Sequence, residues 1–261
     1  MMRSLYTAST GMYAQQLNVD TLAHNMSNVN TTGFKKERVE FKDLLYQVIR
    51  RPASGMDINE PVGLSVGLGV KPSAISTIFS QGNLQPTENP LDVAINGPAF
   101  FRLEVPGYDD YLYTKDGAFK IDSEGQLVTS DGHLLVGVEP LEEGAYDITI
   151  EKDGQVTCML PGSDENEEMG QLELVTFINP VGLQKLGNNL YQATPNSGEA
   201  LDWDPEEDHT ISLEAGYLEM SNVKVVEEMV NLITAQRAYE VNSKVIQSSD
   251  EMLQTAANLR R

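Results

Sequence analysis

The chain has 261 residues, 40% of them hydrophobic, and a formal net charge of −21. That length holds one large domain or two small ones around an ordinary core, and so acidic a surface repels phosphate backbones and anionic lipid, which argues against nucleic-acid binding and direct membrane insertion. The single cysteine, Cys158, leaves no intramolecular disulfide or cysteine-rich zinc site; no apolar run approaches the roughly 18 residues that span a bilayer, and Arg3 is followed by Ser, Thr and Gly where a secretory signal would place its apolar region.

The first expected element is an amphipathic helix over Ser4–Val29. Leu5, Ala8, Met12, Val19, Leu22, Met26 and Val29 recur at alternating steps of three and four, which lays one seam along a helix, with Gln15 as its polar interruption. The helix should stop near Asn28, because Asn28-Val29-Asn30-Thr31-Thr32-Gly33 combines turn formers with a glycine suited to positive φ. Residues Phe34–Arg51 read as a short extended or helical segment of mixed charge. From Arg51 to Val70 the Pro and Gly content predicts an irregular stretch.

Between Ala74 and Tyr217 the signals are β. Turn dipeptides recur at Asn96-Gly97, Pro106-Gly107, Asp116-Gly117, Glu124-Gly125, Asp131-Gly132, Glu143-Gly144 and Asp153-Gly154, with strand-like runs Ala99–Val105, Gln126–Thr129, Tyr146–Glu151 and Leu172–Ile178 between them. The acidic patches Asp164–Glu168 and Asp202–Asp208 read as solvated loops. A second amphipathic helix is expected over Asn222–Leu259. Met229, Leu232, Tyr239, Ile246, Leu253 and Ala257 form its seam, with Gln236, Ser243 and Asp250 intervening and Val226, Val230 and Ile233 widening it at the start. Two terminal seams around a β middle predict an α+β fold whose ends meet, either each other or copies of the same chain.

Catalytic and metal-binding patterns are missing. Counted from Asp202, a calcium loop would need glycine at its sixth position and a bidentate Glu at its twelfth, where the chain has Glu207 and Leu213. Gly67-Leu68-Gly69 opens a dinucleotide fingerprint that Pro72 then breaks. Without a Walker A sequence, nucleophile elbow or His-Glu-x-x-His, neither an enzyme nor a cofactor is expected.

The local sequences carry more. Ala23-His24-Asn25-Met26-Ser27-Asn28-Val29-Asn30-Thr31-Thr32-Gly33-Phe34-Lys35 closely resembles the signature at the end of the N-terminal helix of flagellar rod and hook axial proteins, with His24 where Asn is usual. Gln81-Gly82-Asn83-Leu84, the run Asn89–Gly97 with Phe100-Phe101, Tyr113-Thr114-Lys115-Asp116-Gly117-Ala118-Phe119 and Gly125–Thr129 resemble that family's β domain. Gly216–Val223 and Gln236–Lys244 resemble its C-terminal helix region. The resemblance covers almost the whole chain in order. Within the family, the segment from Tyr46-Gln47-Val48-Ile49-Arg50-Arg51-Pro52 through Leu64 to Gly69, together with total length, is most similar to the distal-rod branch.

This resemblance implies four parts: an N-terminal axial helix (1–33), a distal-rod-type segment (34–73), a β-rich domain (74–217) and a C-terminal axial helix (218–261). It implies a non-enzymatic subunit of the distal rod, exported without a cleaved signal by the flagellar type III apparatus. Such subunits stack into a hollow helical drive shaft that transmits torque to the hook. The partners implied are other copies of the chain, proximal rod subunits, hook or hook-cap proteins, and ring proteins around the rod. Its location is the basal body, periplasmic where an outer membrane exists. A proximal rod or hook subunit is the alternative inside the family; a secreted acidic β-domain binding module with dimerising helical arms is the alternative outside it. Two residue sets keep two readings each. Phe41 and Leu45 resemble the element that engages the export gate, and their spacing also suits helix packing. Arg50, Arg51 and Pro52 form either a solvated loop or a stiff wedge between neighbouring subunits.

Overall fold

The computed structural model describes residues 2–51, 53–54, 59–60, 62–141, 146–160, 166–205 and 209–258. The chain divides into two compact units, each built from segments distant in sequence. One holds Met1–Ser27, Glu37–Ser76 and Lys224–Arg261; the other holds Asn28–Lys36 and Thr77–Val223.

In the first unit, helix α1 (Met2–Ser27) packs against helix α2 (Val225–Asn258). Asn25 near the end of α1 meets Glu228 near the start of α2, while Ser4 meets Ser249, so the pair is antiparallel. Glu227 and Glu228 in the first turn of α2 suit the positive end of its dipole. The rest of this unit is extended. Strand Glu37–Asp43 pairs with Val70–Thr77, and Tyr46–Arg50 pairs antiparallel with Leu64–Gly67 in the register Tyr46↔Gly67, Gln47↔Val66 and Val48↔Ser65. Ala53–Ser54 pairs with Asn59–Glu60. The stretch expected to be irregular is therefore a two-stranded arm. Its β-branched residues Val48, Ile49 and Val66 favour the ladder over the loop that the glycines and prolines suggested. Pro52 and Pro61 lie outside the described residues.

The second unit is the β domain. Its main sheet runs in the order Phe119–Ile121, Leu127–Thr129, Leu134–Leu135, Phe100–Glu104, Leu112–Thr114, Leu190–Gln192, Gln184–Gly187, with Leu174–Thr176 also paired to Phe100–Glu104 and to Leu201–Asp202. Alternation along Phe100–Glu104 splits the core between two faces. Phe101 and Leu103 enter the main cluster with Val93, Ile95, Leu112, Phe119 and Leu213. Phe100 joins an aromatic cluster with Phe79, Phe177 and Tyr191, its ring centroids 5.7–5.8 Å from theirs in edge-on contacts. A smaller sheet is formed by Tyr146–Ile150, Gln155–Met159 and Asn166–Gln171. Glu167 and Glu168, expected in a loop, thus sit in a strand with their side chains exposed. Two further ladders close the domain: Val93–Asn96 pairs with Ser212–Ala215, and Leu84–Pro86 with Tyr217–Glu219.

Candidate assembly interface

The two helices present unlike faces. The face that closes α1 on α2 is built from Ser4, Gly11 and Asn25 on one side and Ser249, Asn242 and Glu228 on the other. Ser4 Oγ lies 3.3 Å from Ser249 Oγ, and the Asn25 amide donates to a Glu228 carboxylate oxygen at 3.4 Å. A Cβ at Gly11 would come within 2.9 Å of Asn242 Nδ2. Ala8, Ala14, Thr21, Leu22 and Ala235 are buried beside them.

The apolar seam read from the sequence lies mostly beside this closed face. Leu22 is buried; Leu5, Met12, Val19, Met26, Leu232, Ile246 and Leu253 are half-buried; Met229 and Tyr239 are exposed. Val19 and Tyr239 line an open groove of about 390 Å³ with Gln16, Gln236 and Glu240. Around the first turns of α2, on the side away from the closed face, Val226, Val230 and Ile233 are exposed. At about 100° per residue they fall in one stripe. A stripe of that kind on a helix already packed on its other side is an apolar surface that the chain itself leaves exposed.

The arm likewise exposes apolar side chains. Leu45, Tyr46, Val48, Ile49 and Leu64 are exposed, and so are Arg50 and Arg51. A two-stranded ribbon is marginally stable unsupported. Pro52 falls outside the described residues. Phe41 is in the strand Glu37–Asp43 and 38% exposed, and Leu45 follows that strand at 84%. Helix packing therefore does not explain this pair, since in a strand a four-residue step does not place both in a helical stripe.

The segment carrying the family signature is held by hydrogen bonds. Within the helical unit, Asn25 uses both ends of its amide on one residue: its Oδ1 accepts from the Glu37 N–H and its Nδ2 donates to the Glu37 carbonyl, both at 2.8 Å. Within the β unit, Thr31 Oγ1 donates to Asn28 Oδ1 at 3.2 Å, Thr32 Oγ1 donates to Asp116 Oδ1 at 2.8 Å, and the Gly33 N–H donates to the Glu219 carbonyl at 2.8 Å. Gly33 takes φ +66°, and a Cβ there would lie 2.8 Å from the Lys115 carbonyl carbon, so both backbone and space require glycine. Asn30 is exposed and Phe34 half-buried.

Behind the signature lies a charged cluster that the sequence analysis missed. Lys35 is 1% exposed; its ammonium donates to Glu219 Oε1 at 2.5 Å and to the Ser80 carbonyl at 3.0 Å. Lys115 approaches the other Glu219 oxygen at 3.8 Å, donates to the Gly97 carbonyl at 3.0 Å and stands 5.4 Å from the centre of the Phe100 ring. Glu219 also accepts the Gly82 N–H at 2.7 Å. Two ammonium groups thus share one buried carboxylate. Burial, opposed by Glu219 and reinforced by Lys35, brings the Lys115 ammonium down from 10.5 to about 8. The three residues are 184 positions apart at the extremes, yet each stands inside one of the short runs singled out above, which was the available signal.

Residues 5–35 match the family model of the flagella basal body rod protein, residues 94–158 that of the D1 domain of flagellar hook protein FlgE/F/G, and residues 214–259 that of the C-terminal part of flagellar basal body rod FlgEFG proteins. The flagellar basal-body rod protein FlgG of Borreliella burgdorferi is 49% identical over 265 residues, covering 100% of both chains. The chain belongs to the FlgG family of flagellar basal-body rod proteins. Other FlgG relatives agree: that of Buchnera aphidicola from Schizaphis graminum is 44% identical over 99% of this chain and 100% of its own length, and that of Bacillus subtilis 40% identical over 100% of each. Membership in the FlgG family makes this a structural protein of the rod, and the signature, the buried cluster's Lys35 and, apart from Ser4, the closed helix face of α1 fall inside the residues matched to the rod-protein model.

Proposed function

We propose that the chain is a distal-rod subunit that polymerises with copies of itself into a hollow helical shaft, joined to proximal rod, hook and ring proteins and delivered by the type III export apparatus. One observation carries the reading: α2 keeps an apolar stripe exposed although its opposite face is already closed by α1. A second copy is the occupant that satisfies every chain in the same way, and helical stacking of identical contacts is how a rod is built. In this reading residues 34–73 are the segment particular to the distal rod. The arm, with Arg50 and Arg51 exposed on a chain of net charge −21, wedges against acidic neighbours, and the exposed Phe41 and Leu45 are free to meet the export gate.

Ile233→Asp tests the stripe. Ile233 is 47% exposed, so the free subunit should be secreted and its β domain should melt normally, while each copy contact would bury an unpaired carboxylate at a cost of several kcal/mol. No rod should extend. Rods of normal length containing the variant would overturn the assignment of this stripe to the copy contact.

A further inference from the structure

The closed face of the helix pair repeats every seven residues on both helices: Ser4, Gly11, Asn18 and Asn25 on α1, and Ser249, Asn242, Ala235 and Glu228 on α2. Three of the four facing pairs meet through polar groups or at a glycine, as the Ser4–Ser249, Gly11–Asn242 and Asn25–Glu228 distances record; the same register sets Asn18 opposite Ala235. Asn25, Glu228, Ala235 and Ser249 are each no more than 3% exposed. The larger apolar side chains stand on the flanks. This is the reverse of the usual arrangement, in which apolar rows close a helix pair and polar residues ring it.

We propose that this row is a register key. It aligns α1 with α2 in a single antiparallel register inside one chain, through groups that specify position more than they bind, and so keeps the apolar rows for neighbouring copies; the second half of this inference rests on the assembly reading above. A slip of one heptad that brings Ala256 opposite Ser4 would move the Asn25 amide off the Glu228 carboxylate to Ala235 and set Ser249 opposite Gly11 instead of Ser4. An apolar row would tolerate that slip, since one Leu resembles the next. A polar position inside a helix seam specifies register because its partner exists at one alignment only.

Cysteine pairs in the full-length chain read the register. Ser4→Cys with Ser249→Cys matches the observed alignment, and Ser4→Cys with Ala256→Cys matches a slip of one heptad, about 10.5 Å along the axis. Under mild oxidation of dilute protein, with buried Cys158 as internal control, mass spectrometry should find the first crosslink at least tenfold more abundant than the second. Asn18→Leu with Asn242→Leu then keeps side-chain shape while removing two amides of the row. In that background the ratio should fall about tenfold, with helix content by far-UV circular dichroism unchanged as evidence that both helices are still formed. An unchanged ratio would overturn the key, as would equal crosslinks with the native row. The readout is made on monomers, so either failure is separable from failure of the rod reading, which is scored by polymer formation in the Ile233→Asp strain.

Discussion

Glu219→Gln probes the buried charge cluster most directly. In the native domain one carboxylate serves two ammonium groups, Lys35 at 2.5 Å and Lys115 at 3.8 Å, and all three side chains are no more than 2% exposed. Replacing it by an amide keeps shape and the Gly82 hydrogen bond but leaves two like charges without a counter-charge. Removing one member of a buried pair costs about 3–5 kcal/mol. At about 2–4 °C per kcal/mol for a domain of this size, the β unit should melt about 6–20 °C lower by calorimetry. Lys115→Met should behave differently. It removes the surplus positive charge, so at neutral pH its cost should stay within about 1 kcal/mol, because an apolar side chain of similar volume replaces an ammonium that burial disfavours.

The pH dependence gives the sign. The unfolded chain holds the Lys115 proton up to 10.5, while in the folded domain the group loses it near 8. Between those values the unfolded state binds more protons, so this group's contribution to stability rises with pH from about 8 to 10.5 and is least favourable below 8. The gap is worth about 3 kcal/mol. Denaturant titrations of the native domain and of Lys115→Met should therefore diverge across that window, the native domain gaining by this amount. Parallel curves, or a Lys115→Met loss as large as that of Glu219→Gln, would refute the account of one carboxylate balancing two cations.

Three further outcomes are expected. Gly33→Ala should lower β-domain stability by about 1–3 kcal/mol, since it forces a side chain into a left-handed conformation and against the Lys115 backbone; equilibrium unfolding measures it. Phe41→Ala should reduce the amount of secreted subunit while changing the melting of the protein by less than about 1 kcal/mol, because an exposed site loses little on truncation; normal secretion would remove Phe41 from the export element. Limited proteolysis of dilute subunit should release residues 1–27 and 225–261 before the β core, because the helices' apolar stripes lack neighbours until assembly.

How much of this was legible in the sequence depends on whether the deciding interaction is local. Turns are local. Gly97, Gly107, Gly125, Gly132 and Gly154 all adopt positive φ, as their dipeptides implied, and α1 ends at Ser27 just before the run of turn formers. Gly117 is the informative exception. Its φ is not positive; it is glycine because a Cβ would stand 1.7 Å from the Val93 carbonyl oxygen, a demand set by a strand 24 positions away. The helices show the same boundary. Periodicity marks an apolar stripe, here Leu5, Met12, Val19 and Met26, which are half-buried on α1. It could not show that the adjacent row, one residue earlier at Ser4, Gly11, Asn18 and Asn25, is the one that closes on α2, because the choice is made by the partner helix 203 positions away, where Glu228 receives Asn25. Burial of Lys35 was hidden for a like reason: lysine is ordinarily exposed, and only the return of the chain to Glu219 makes the interior tolerable for it. Apolar pattern therefore locates surfaces that want a partner, whereas polar complementarity across the fold decides which partner each one takes. In this chain the polar rows settle contacts within the subunit, and the apolar stripe of α2 remains on its outside.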